Sequence, residues 1–355
     1  MYFFYPNDGA CNYHRVLQPA RFCHERYDRD WHFEVGPGPS FGKGVYYFSG
    51  LPDVKNASNT LLEIQHLRRN GAKFVWSLDD DWLTIPNWNP ARPDEGGLCV
   101  YDIMKELSDW IVVSTPYLAT TFSDVKEKVL IAPNLLDLGM YPHVESEEFE
   151  DLDGRRGKQY NIKVQTPVRV VWVGSETHKG DVDEITEPLD RFLSTYCGLN
   201  NGNRAVVIFS GMMPHGGIVR KYLHKGLLYQ PMVPFVSYHQ ILSSINPHIY
   251  LAPLSPINFN AGKSNLRIME SWALCAVPLA TDWGEYSCIQ HGIDGLKCNN
   301  NLDFYDSLTE LVTNHELRVK LASYGRMRVE EQYNWNKEEC RKQWYNVFDT
   351  ILGYW

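Results

Sequence analysis

The stretch FNAGKSNLRIMES, Phe259 to Ser271, decides how this chain is read. It follows the apolar run IYLAPL, Ile249 to Leu254, and so stands where a buried strand hands over to a helix. The first N–H groups of a helix lack intrahelical partners and face the positive end of its dipole, an arrangement that suits phosphate. Lys263 adds a full charge, and Glu270 places a carboxylate two turns further on. Gly-Lys-Ser also ends the P-loop signature, but that signature needs a glycine where this chain has Ile257. A P-loop-like NTPase is therefore the less favoured reading, and a different phosphate site the better one.

Working outward, 355 residues exceed what one hydrophobic core serves, and 44% hydrophobic residues are enough to build two. A net charge of -9 argues against a broad phosphate-neutralising surface while leaving room for a small basic cleft. The eight cysteines include no Cys-x-x-Cys pair, which suits reduced thiols better than zinc or a disulfide framework. The opening MYFFYPNDGACNYHR lacks the basic flank and small-residue cleavage site of a signal peptide and reads as a buried strand. No apolar run has the length of a membrane span. These features imply a cytoplasmic protein, in the host cytoplasm if viral, without integral membrane association.

Short apolar runs alternate with amphipathic stretches along the chain. GVYYFSG, KFVWSL, WIVVST and VLIAP form a first series, and RVVWVG, AVVIFSG, HIYLAPL and AVPLAT a second. Strands separated by helical patterns imply parallel sheets with helices on both faces, an α/β class. Between the series, residues 143–166 are polar and charged and read as a linker or surface excursion. The expected organisation is residues 1–142, the linker 143–166, residues 167–334 and a C-terminal helix over 335–355. Helices are expected from Ala57 to Asn70, capped by Gly71, and from Asp181 to Cys197 with a kink at Pro188.

PNLLD (Pro133 to Asp137), WVGSETHKGD (Trp172 to Asp181) and NFNAGKSNLRIMESWALCAVPLAT (Asn258 to Thr281) resemble the GT-B nucleotide-sugar glycosyltransferases, most of all the retaining family 4 group. The resemblance implies two Rossmann-like domains facing a cleft, with the C-terminal helix crossing back to the first domain. It implies a donor, a UDP-sugar by preference, held by the second domain, and an acceptor held by the first. No cofactor or metal is required on this reading. Transfer with retention is the family expectation.

For the donor, the resemblance points to Gly9, Gly174, Ser175, Lys179, Asn260, Gly262, Lys263, Ser264, Asn265 and Glu270. The diphosphate would lie on the amides of Gly262 to Asn265 with Lys179 and Lys263, and Glu270 would accept from the ribose hydroxyls. Open α/β sheets bind ligands at the carboxyl ends of their strands, which independently favours Gly174 to Lys179 and Asn260 to Ser264. Two departures stand out. Ser175 replaces the arginine usual after the turn glycine, and Gly262 stands where the family's first glutamate of Glu-x7-Glu belongs, as in relatives with an FN-x-GKS loop.

In the first domain, LDDDWLTIP ends a strand with three carboxylates, and Asp79 and Asp81 are expected in a catalytic role, orienting the acceptor hydroxyl. A metal-binding pair, a Walker B carboxylate and a helix N-cap are the other readings of that run. Tyr13, His14 and Arg15 are candidate acceptor contacts, with Arg21 and His24 extending a modestly basic helix. The acceptor is a glycan or lipid-linked sugar, or a hydroxymethylated base in phage DNA. Against DNA, residues 1–142 hold 13 Lys and Arg beside 18 Asp and Glu. A catalytically silent nucleotide-sugar-binding module shares every phosphate feature and is the alternative in kind.

Overall fold

The computed structural model describes residues 1–5, 10–27, 32–35, 43–51, 54–150, 156–162, 167–198, 202, 204–214 and 216–353. The chain forms two units. Met1–Leu136, Ala261–Ser264 and Trp335–Trp355 make the first, and Asp137–Asn260 with Asn265–Asn334 the second.

The first unit is built on β1 (Tyr2–Tyr5), β2 (His32–Val35), β3 (Val45–Ser49), β4 (Lys73–Leu78), β5 (Trp110–Val113) and β6 (Val129–Ile131). All six are parallel, in the order β2-β1-β3-β4-β5-β6. In β4 every residue after Lys73 is buried, as expected of a strand covered on both faces, and this is why its sequence after Lys73 is apolar but for Ser77. The helix Val54–Arg69 ends in a Schellman turn: Ala72 N donates to Leu67 O and Gly71 N to Arg68 O, with Gly71 at φ +86°. The last helix, Glu338–Leu352, belongs to this unit and buries Trp344 and Phe348, with Trp344 Nε1 donating to Pro133 O at 2.9 Å.

In the second unit the polar stretch between the two strand series contains a hairpin, β7 (Ser146–Glu150) paired antiparallel with β8 (Arg156–Tyr160). There follow β9 (Val168–Gly174), β10 (Ala205–Gly211), β11 (Leu227–Pro231), β12 (Ile249–Ala252), β13 (Val277–Thr281) and β14 (Leu296–Cys298). They form a parallel sheet in the order β11-β10-β9-β12-β13-β14. The chain winds outward from β9 one way and from β12 the other, so the crevice past the ends of these two strands is the topological switch point. The helical stretch expected from Asp181 to Cys197 is broken at Ile185 into Lys179–Glu184 and Thr186–Tyr196. The break lies ahead of Pro188, whose ring cannot tolerate a helical carbonyl four residues earlier.

The helix Leu266–Ala273 buries Ile268, Met269, Trp272 and Ala273. Trp272 packs where Gly325 has no side chain, and its Nε1 donates to Asp294 O at 2.7 Å. At the far end Arg326 Nη1 donates to the Ala273 carbonyl at 2.5 Å, placing a cation at the negative pole of the helix. Among the described residues no helix is long and apolar enough to cross a membrane.

Candidate functional site

Gly174 ends β9 at the switch point of the second unit. A β-carbon there would collide with Nη2 of Arg267 and with the Trp172 ring, so only glycine admits that guanidinium. Past Gly174 the chain turns through Glu176–His178 into the helix Lys179–Glu184, with Ser175 Oγ and Thr177 Oγ1 bonded at 2.7 Å. Asp181 holds this segment to the one following β12. Its Oδ1 accepts from Ser255 N at 2.9 Å and from Asn260 Nδ2 at 2.7 Å, and its Oδ2 faces His178 Nδ1 at 2.8 Å. Asn260 is buried and also donates to Ser255 O at 2.9 Å. Lys179 pairs with Asp183 at 2.5 Å, and both side chains are about two-fifths exposed (42% and 41%).

The GKS stretch does not itself open the helix. Asn265 is the N-cap, and Ile268 N and Met269 N both donate to its carbonyl. Glu270 therefore lies in the second turn, and the first-turn amides start at Leu266 rather than at Gly262. Glu270 is buried and its Oε2 accepts from Tyr238 Oη at 3.0 Å. Burial lifts its carboxyl to about 7, while the Tyr238 hydrogen bond and the Arg267 charge pull the other way. Arg267, one turn earlier on the same helix, lies with its guanidinium carbon 5.3 Å from the Trp172 ring centroid. Its Nη1 is shielded from solvent and finds no hydrogen-bond partner among the described residues.

Gly262, Lys263 and Ser264 belong to the first unit, where they meet the ends of β4, β5 and β6. Thr115 Oγ1 donates to Gly262 O at 3.1 Å, Lys263 Nζ pairs with Asp80 at 3.0 Å, and Asn134 Nδ2 donates to Ser264 Oγ at 3.0 Å. The same Asn134 Nδ2 lies 3.1 and 3.2 Å from the two oxygens of Asp79. Burial raises the Asp79 carboxyl above its usual range, opposed by the charge of Arg15. Asp81 has a different part from the expected one. It is buried, and its oxygens accept from Leu83 N at 3.2 Å and Thr84 Oγ1 at 2.6 Å, so it fixes its own turn instead of facing an acceptor. Among the described residues no group of three or more His, Cys, Asp and Glu could hold a metal ion.

The acceptor contacts expected near the N-terminus need correction. Tyr13–Leu17 is a π-helical turn, and it buries His14 and Arg15 at 1% exposure each. Arg15 donates from Nη1 to Ala132 O at 2.6 Å and to Asn134 Oδ1 at 3.2 Å, and from Nε to Ser77 Oγ at 3.2 Å. Its donors satisfy strand-end groups, so it cannot follow a nucleic-acid backbone. His14 faces Gln18 at 3.0 Å, and burial lowers its ring to about 4, which keeps it neutral. Tyr13 is part-buried, its ring edge-on to His14. Gly9 lies outside the described residues.

No family model matches the sequence, and no curated protein matches it. Solved structures do match. Sucrose-phosphate synthase from Thermosynechococcus elongatus is similar with a TM-score of 0.68 at 12% identity, over 100% of this chain and 99% of that one. HepE from Anabaena in complex with UDP-glucose gives 0.63 at 11% identity, over 98% and 99%. A glycosyltransferase from Rickettsia africae gives 0.61 at 11% identity, over 99% and 98%. The chain has the fold of the GT-B glycosyltransferases.

Within this GT-B fold several polar residues at the strand ends escape a reading of the sequence. Asp181 and His178 stand inside a quoted motif, yet only the structure shows the carboxylate bridging to Ser255 and Asn260. Arg267 had a usable signal, since it lies three residues before Glu270 on one helix face. Asn134 and Asp80 had none beyond their places after strands, because their partners are 55 to 183 residues away.

Proposed function

We propose that the chain is a glycosyltransferase that moves a sugar from a nucleotide-diphosphate sugar, a UDP-sugar by preference, to an acceptor hydroxyl. The observation that carries this reading is the switch point of the second unit. There Gly174 ends β9, Asp181 ties the segment after β9 to Asn260 after β12, and the helix Leu266–Ala273 follows directly in the chain. Open α/β sheets take nucleotides at such a point, with phosphate toward a helix N-terminus. The likeness to HepE, solved with UDP-glucose, supports the choice of donor.

On this reading the second unit holds the donor. The first-turn amides of Leu266 and Arg267, helped by Lys179, stabilise the charge that grows on the departing diphosphate, usually the largest single catalytic contribution. Glu270, whose Oε2 takes hydrogen bonds from Tyr238 and Tyr250, accepts from the ribose hydroxyls. The first unit takes the acceptor, with Asp79 orienting the hydroxyl. Burial, which raises the Asp79 carboxyl above the usual range, makes it a stronger base for the hydroxyl proton than an ordinary aspartate. Front-face attack with retention follows the family 4 resemblance. A glycan hydroxyl is the favoured acceptor, because the buried Arg15 removes a phosphate contact that DNA would need. All eight cysteines are free, which accords with a reducing compartment such as the cytoplasm.

The test is a thermal-shift panel of UDP, GDP and ADP sugars. A ligand that binds only the native state raises the melting temperature, by the equivalent of about 2.7 kcal/mol at a hundredfold excess over Kd. The expected outcome is a shift with UDP-sugars and with UDP. No shift with any nucleotide sugar at millimolar concentration would end the donor reading.

A further inference from the structure

Among the described residues Nη1 of Arg267 is a buried charged donor at the switch point that the protein itself leaves incomplete, beside the neutral Nε1 of Trp172, which also lacks a partner. Asp181 and Glu270 lie close enough to feel the Arg267 charge, yet both use their oxygens elsewhere. Asp181 accepts from Ser255, Asn260 and His178, and Glu270 from Tyr238. Nη1 of Arg267 finds no hydrogen-bond partner among the described residues, although it is closed off from water. Leaving a charged donor unmade in such a place is costly, and protein structures normally supply it with an acceptor. The arrangement around it is nonetheless specific. The Trp172 ring supports one face of the guanidinium, and the missing side chain at Gly174 makes room for Nη2.

We infer that Arg267 is the cation that receives the donor's diphosphate in the second unit. This rests on the nucleotide-sugar reading given above and names a residue for its anionic part. The planar guanidinium fork matches two phosphate oxygens at once, which a lysine cannot do. Its position beside the end of β9 is where an open α/β sheet takes its ligand. Ser175, which follows Gly174, brings no charge of its own, so the helix supplies what the turn lacks. Arg267 as a residue is part-exposed although its Nη1 is closed off, so part of its side chain lies at the surface of the second unit. Gly174 is then selected for this residue: a β-carbon at 174 would push the guanidinium away.

The experiment is calorimetric titration of UDP, uridine and inorganic pyrophosphate into the wild type, Arg267→Gln, Arg267→Lys and Gly174→Ala, each checked for a cooperative melting transition. The expected result is a loss of roughly tenfold to a hundredfold in affinity for UDP and pyrophosphate with Arg267→Gln, since hydrogen bonds to charged groups are the strong ones. Uridine should bind as before, Arg267→Lys should restore part of the loss, and Gly174→Ala should reproduce it with the arginine still present. If the wild type binds UDP and the folded Arg267→Gln variant binds it equally, the inference is overturned while the donor reading stands. If the wild type binds neither UDP nor pyrophosphate, both fall together. Should Arg267→Gln not fold, Gly174→Ala decides: unchanged UDP affinity in that variant overturns the inference.

Discussion

Nδ2 of Asn260 donates to Oδ1 of Asp181 at 2.7 Å, joining the segment after β9 to the segment after β12. Both side chains are buried, and the same carboxylate oxygen also accepts from Ser255 N. One charge therefore holds the two banks of the switch point in register. Asp181→Asn keeps the shape and removes the charge, and its amide presents a donor where donors already converge. The expected cost is about 1.5 to 3 kcal/mol of stability, the usual worth of hydrogen bonds to a charged group. Urea denaturation measures it, and UDP affinity should fall in parallel. A variant as stable as the wild type would show that the brace is dispensable.

Arg15 is a buried structural residue and not a surface phosphate contact. Its guanidinium joins Ser77 Oγ, Ala132 O and Asn134 Oδ1, so Arg15→Ala strands buried acceptors. A loss of roughly 3 to 5 kcal/mol is expected, the range for breaking a buried charged network. An exposed phosphate-tracking arginine would cost within about 0.5 kcal/mol. The midpoint of a urea transition separates the two directly.

How far this was legible in the sequence depends on the range of the interaction. The strands were, because KFVWSL and RVVWVG are mostly apolar and need no distant partner to be recognised. Gly71 as a helix cap was legible for the same reason, its geometry being set within five residues. Arg15 was not: among Tyr13, His14, Arg21 and His24 it reads as part of a charged face, and the groups that bury it come 62 to 119 residues later. The GKS segment shows both sides of this. Its place between strand and helix was plain from the apolar run before it, but its packing with Thr115, Asp80 and Asn134 in the first unit was not.

Lys263 and Asp80 give a two-sided prediction. Their ion pair at 3.0 Å must open if Lys263 is to reach a phosphate. Lys263→Ala should then weaken UDP binding by about tenfold, consistent with one charge-assisted contact. Asp80→Asn should strengthen it severalfold by removing the competitor. If titration finds both variants unchanged, the pair is structural.

Glu270 makes stability depend on pH in a defined sense. Its carboxyl sits at about 7 in the folded chain against an ordinary value of 4.5, so the folded state holds the proton longer. Its contribution to stability is full below about 4.5, is lost as pH rises, and is gone above about 7. Over that window the wild type should lose up to about 3 kcal/mol relative to Glu270→Gln, at 1.36 kcal/mol per unit. Denaturant titrations of both proteins from pH 4 to pH 8 give the difference. Parallel curves would mean that the carboxyl titrates normally.

The most direct measurement is the release of UDP from a panel of UDP-sugars, followed with and without glycan acceptors. The account predicts slow UDP release from one donor, stimulated by an acceptor and reduced by about tenfold or more in Lys263→Ala and Arg267→Gln, in keeping with the loss of charge-assisted contacts to the leaving group. The contradicting result is saturable binding of UDP and a UDP-sugar with no UDP formed from any donor and acceptor over many hours. That outcome would make the chain a nucleotide-sugar-binding module and not a transferase.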